Sequence, residues 1–97
     1  MRMPGSPVRY GQTDPSEPTV HDLPPLRYEG DLVPVRIVVR EAEDRSWRAR
    51  LIFGAEPPEM APATAEIFYA ETEGDLWTCV YDLREHHLRD LYRSVAS

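Results

Sequence analysis

The sequence predicts an α+β fold: a small antiparallel sheet of three strands, covered on one face by one or two C-terminal helices and preceded by an extended Pro-rich arm. Three observations point to it. Apolar residues alternate with a period of two between Val33 and Phe53, they recur at helical spacing from Leu76 to Val95, and six of the ten prolines fall in the first 31 residues. The 97 residues therefore divide into an extended or disordered arm over 1–31 and one compact α+β domain over 32–97.

Composition supports that division. Residues 1–31 hold eight apolar side chains with three basic and five acidic ones, whereas residues 32–97 hold thirty-two apolar, eight basic and twelve acidic. Only the second part can bury a core. Prolines at 4, 7, 15, 18, 24 and 25 lock φ and remove amide donors, which closes the first segment to a helix or a central strand. Within it, Leu23-Pro24-Pro25-Leu26-Arg27-Tyr28 is best suited to lie along a partner, because aliphatic and aromatic groups stand on a polyproline-like backbone.

The elements of the domain follow in order. Val35, Ile37 and Val39 alternate with Arg36, Val38 and Arg40, and after the polar run Glu43 to Ser46 the alternation resumes with Trp47, Ala49, Leu51 and Phe53 against Arg48, Arg50 and Ile52. This reads as a β-hairpin. Gly54 to Pro62 carries three prolines and must be a loop, and Ala63 to Tyr69 is a third strand, rich in β-branched and aromatic groups at Ile67, Phe68 and Tyr69. Leu76 to Tyr81 has two readings. Its composition suits a fourth strand, giving ββββα, but Thr72-Glu73-Gly74-Asp75 has the form of a capping box and Leu76, Cys79, Val80 and Leu83 share a helical face, giving βββαα. Asp82 to Glu85 repeats the capping signature, and Leu88, Leu91, Tyr92 and Val95 mark the final helix.

Charge and residue usage exclude several function classes. Eleven basic against seventeen acidic residues leave a net charge of −6, the wrong sign for a protein whose whole surface tracks nucleic acid or anionic lipid. No apolar run approaches a membrane span, and Met1 to Pro7 lacks the apolar stretch of a secretory signal, so the expected location is cytoplasmic with no membrane partner. One cysteine and three histidines without Cys/His pairing give no zinc spacing, and the five isolated glycines form no phosphate loop. No metal and no cofactor are expected.

The side chains that could carry function lie on the sheet. If the alternation turns Val35, Ile37, Val39, Trp47, Ala49, Leu51 and Phe53 toward the helices, Arg36, Arg40, Arg48 and Arg50 share the other face with Val38 and Ile52. Every cation in the chain is arginine, a planar fork suited to carboxylate and phosphate. Those arginines serve either as cross-strand partners of Glu41, Glu43 and Glu66 or as an anion-recognising surface. If Ile67 and Tyr69 face inward, Phe68 joins the arginines outside. His86 and His87 diverge by about 100° on the helix, one bordering the core and one in solvent. Cys79 sits in an apolar stretch as a small core residue.

These features predict a non-enzymatic accessory or regulatory protein that binds another protein, an acidic one or a second copy of itself. The residues expected to carry binding are Arg36, Val38, Arg40, Arg48, Arg50 and Phe68 on the sheet, with Leu26 and Tyr28 in the arm. No catalytic residue is assigned. The alternatives are a nucleic-acid-binding module that uses the same arginines on phosphate, disfavoured by net charge, and a small subunit of an oligomeric enzyme.

Overall fold

A computed structural model describes residues 17–96 of the chain. Its order is β1 (Thr19–Tyr28), β2 (Asp31–Glu41), β3 (Trp47–Phe53), β4 (Phe68–Ala70), α1 (Glu73–Tyr81) and α2 (Glu85–Ala96). The four strands form one antiparallel sheet in sequential order, and both helices lie on one face. The α+β class and the two C-terminal helices are as the sequence predicts.

The fourth strand comes from the Pro-rich segment rather than from residues 76–81. Its register on β2 runs Thr19 with Val39 to Leu23 with Val35, then resumes at Leu26 with Val33. Pro24 and Pro25 thus stand against Pro34 alone in a bulge, where the missing amides take nothing from the ladder. A proline-containing strand is excluded from a sheet centre but not from an edge, and β1 is an edge. Glu29 and Gly30 both have positive φ, 52° and 87°, the signature of the two-residue turn whose twist matches paired strands. The division expected at residue 31 falls in this turn, so the sheet runs across it. The part of the expected arm over residues 1–16 lies outside the described residues.

β2 and β3 pair in full register from Val35 with Phe53 to Glu41 with Trp47, as the alternation requires. The third strand expected over Ala63 to Tyr69 forms only at Phe68–Ala70, with one isolated bridge between Ala63 and Ile52. Thr64 explains the interruption. Its hydroxyl accepts the Leu51 amide at 3.0 Å and donates to the Ala65 carbonyl at 2.7 Å, so a side chain replaces a ladder acceptor and the ladder lapses until Phe68 pairs with Ala49, with Thr64 and Phe68 on the same inner face.

The Thr72 capping signature is realised: its side chain accepts the Asp75 amide and α1 follows. Asp82 is the C-cap of α1, not the start of the next helix, and α2 begins after Arg84, whose amide meets His87 Nδ1 at 3.3 Å. Leu76 and Val80 are the buried residues of α1, whereas α2 buries none fully. α2 instead lays Leu88, Leu91, Tyr92 and Val95 partly buried against the core. Tyr92 meets Tyr28 of β1 edge-on at 4.9 Å and Phe53 of β3 at 5.2 Å, which ties the last helix to one end of the sheet across β1 and β3.

The core is therefore built from Leu26, Val35, Ile37, Val39, Ala49, Leu51, Phe53, Leu76 and Val80. Leu26 is 1% exposed, so the segment expected as a docking arm contributes a core residue. Leu26→Ala should lower unfolding stability by about 2–5 kcal/mol, the range for large-to-small changes in a core. Deleting residues 1–31 should abolish the cooperative thermal transition altogether, because β2 would lose its partner on one side, the core would lose Leu26, and α2 would lose its support at Tyr28. Differential scanning calorimetry checks both; a sharp transition in the deletion would show that β1 is dispensable.

Candidate protein-binding surface

Strand parity builds the face opposite the helices. With Val35, Ile37 and Val39 turned inward, β2 presents Arg36, Val38 and Arg40, and β3 presents Arg48, Arg50 and Ile52. The four arginines share one face, yet three are engaged within the chain. Arg36 donates through Nη2 to the Gly54 carbonyl at 2.9 Å and to the Glu56 carbonyl, closing the loop that follows β3. Its Nε is buried without a hydrogen-bond partner, an orphaned donor whose burial opposes part of that gain. Gly54 allows the loop to turn here: φ is 104°, and any Cβ would strike the Glu56 carboxylate.

Arg40 forms a fork with Glu66, Nε to Oε2 at 2.6 Å and Nη2 to Oε1 at 2.8 Å. Those hydrogen bonds, despite some burial, hold the Glu66 carboxyl below the usual carboxylate range and raise Arg40 further. Arg48 donates to Ser46 Oγ at 3.1 Å and approaches Asp44 Oδ2 at 3.4 Å, with its guanidinium 4.9 Å from the Tyr69 ring centroid. The Asp44 carboxyl is lowered chiefly by its hydrogen bonds from Ser46. Arg50 makes no hydrogen bond or ion pair among the described residues.

Several expected site residues are placed elsewhere. Phe68 faces the core, 8% exposed, because its register partner is Ala49, an inward position small enough to leave room for a phenyl ring. Tyr69 and Ile67 take the outer position instead, 56% and 46% exposed. The pairing of Phe68 with Ala49 decides this parity, which the residues of so short a strand do not reveal. Val38 is 6% exposed and Ile52 fully buried, so neither is an apolar contact for a partner. Leu26 and Tyr28 are occupied by the core and by Tyr92.

The remaining chemistry-bearing side chains are dispersed. Cys79 is exposed on α1, off the face on which Leu76 and Val80 are buried. His86 and His87 are both exposed, with ring centroids 4.0 Å apart, rather than one at the core. His21 meets the edge of Trp77 at 5.1 Å. Among the described residues no group of His, Cys, Asp and Glu could hold a metal ion, and no helix is long and apolar enough to cross a membrane.

No protein-family model, curated protein or solved structure matches this chain.

The Arg40–Glu66 fork makes a specific pH dependence. A carboxyl whose folded value is lowered contributes stability that is present above its unfolded value, about 4.3, and is lost as pH falls through the folded value. Glu66→Gln should therefore melt below the native chain at pH 7, and the gap between the two melting temperatures should narrow toward pH 3. A constant gap would assign no role to this carboxyl's charge.

Proposed function

We propose that the chain is a non-enzymatic accessory or regulatory protein that binds another protein through the β3–β4 half of its outer sheet face. The observation that carries this reading is Arg48 held under an exposed Tyr69, beside Arg50 without an ion pair and the exposed Ile67. Tyrosine and arginine dominate the energetics of protein interfaces, since each couples a large contact area to oriented polar groups. The ring and the guanidinium are positioned before any partner arrives. Little side-chain freedom is then lost on binding.

The cations favour an acidic partner. Arg50 is the available fork, because Arg36 and Arg40 serve the loop and Glu66. A single available arginine also weakens the reading of this face as a phosphate-binding surface, which needs several contacts along a backbone. The cytoplasmic location belongs to the same reading.

Tyr69→Ala and Arg50→Glu, both at surface positions, should each reduce capture of the partner about tenfold or more while leaving the melting temperature within a few degrees. The partner is the protein that copurifies with the chain from its source. Affinity that falls steeply with added salt and is transferred to duplex DNA would replace this reading with nucleic-acid binding.

A further inference from the structure

The free edge of β1 borders an apolar groove, and the two together form a second surface that does not rest on the outer-face reading. The Gly54 amide donates to the Pro34 carbonyl, so even-numbered residues of β2 turn their backbone groups toward β3. Alternation of an antiparallel ladder then directs odd-numbered β2 residues to β1, where they meet Leu23, His21 and Thr19. Val20 and Asp22 are left with N–H and C=O groups facing the unpaired edge. Beside that edge, on the helix side, a groove of about 290 Å³ opens between Leu23 and Pro25 of β1 and Val80, Tyr81, Leu83 and Leu88 of the helices. The bulged stretch Leu23 to Leu26 forms the strand wall of this groove, opposite the elbow joining α1 to α2.

Charge selects the occupant. Asp22 lies opposite Arg36 in the register, but Arg36 is turned to the Gly54 and Glu56 carbonyls, and Asp22 makes no ion pair among the described residues. Asp82, at the elbow, has none either, and Glu85 lines the groove with Arg89 only at 3.8 Å. A strand added to β1 would alternate its side chains between the groove and the outer side of Asp22.

We propose that the β1 edge takes up an extended segment of a partner protein in which bulky apolar side chains alternate with arginine or lysine. The apolar groups enter the groove over Leu23, Leu83 and Leu88, and the cations face Asp22 on the other side. Main-chain hydrogen bonds to Val20 and Asp22 hold the segment, and Pro24 and Pro25, without donors, limit it to the first half of β1.

The test uses the full chain and a blocked hexapeptide, Ser-Arg-Leu-Arg-Val-Ser, titrated by heteronuclear NMR. The expected result is a set of saturable shifts confined to the amides of Val20 and Asp22 and the methyl groups of Leu23, Leu83 and Leu88. The same peptide with aspartate for both arginines should bind at least tenfold more weakly. Asp22→Lys and Tyr81→Ala, both exposed, should each weaken binding several-fold with an unchanged melting temperature. Absence of shifts at millimolar peptide, equal binding of the acidic peptide, or shifts centred on Tyr69 and Arg50 would overturn the proposal. Line broadening at Val20 and Asp22 that grows with protein concentration alone would overturn it too, by assigning the edge to a second copy.

Discussion

The two-against-one bulge in β1 is the constraint on which the arrangement depends. In a regular strand Leu23 and Leu26 point to opposite faces, since three steps separate them. With Pro24 and Pro25 set against Pro34, both leucines turn to the helix side, and so does Tyr28. α2 has no fully buried residue of its own and rests on this row through Tyr92. A straight β1 would present one of its leucines to solvent and leave the last helix without a seat. The same bulged stretch lines the groove beside the helix elbow, so a feature that completes the core also shapes a surface. In this chain proline acts less as a breaker than as a device for choosing faces.

The outer face shows how an apparently free charge cluster is absorbed. The sheet brings Arg36, Arg40, Arg48 and Arg50 together on one side, where like charges across neighbouring strands repel. That repulsion is relieved by giving three of them separate duties: loop carbonyls for Arg36, a carboxylate fork for Arg40, and a turn carboxylate with an aromatic ring for Arg48. None of these contacts is worth much in water, and half-exposed ion pairs contribute about 1 kcal/mol or less each. Their effect is organisational. The Arg36 and Arg40 contacts hold the long loop after β3 against the sheet, and Arg48 fixes the orientation of Tyr69.

Much of the architecture was legible in the residues, because periodicity reports burial directly. The alternation from Val35 to Phe53 placed the β2–β3 pair and its inner face, and Thr72 with Asp75 marked the start of α1. What escaped was decided by interactions with no local signature. Leu23 and Leu26 read as a docking arm because the two prolines between them argue against a ladder, and only the matching Pro34 on the next strand makes the pairing harmless. The Glu29-Gly30 pair closes the hairpin, but glutamate is not a residue that favours positive φ, so only Gly30 marks the turn locally. The inward turn of Phe68 is set by its pairing with the inward Ala49, a tertiary choice with no local signature in a strand of three residues. Among the residues proposed for binding, Arg48 and Arg50 are readable from the alternation, while the inward turn expected of Ile67 and Tyr69 is reversed by the pairing of Phe68 with Ala49.

The fold also explains how an acidic chain can carry an arginine face. From Glu71 to Ala96 the helical layer has six acidic residues and three arginines, whereas the outward positions of β2 and β3 carry arginine without any carboxylate. Net charge is a sum over both faces and describes neither. Partners are met by local potential, which falls off within about 8–10 Å at physiological salt, a distance comparable to the thickness separating the sheet's outer face from its helices. An acidic protein approaching the β3–β4 strands is therefore drawn by arginine and shielded from the carboxylates behind the sheet. A basic segment approaching the helix elbow meets the opposite field. The two proposed surfaces would not compete for one kind of partner, and an edge strand separated from β3 by β2 leaves room for both.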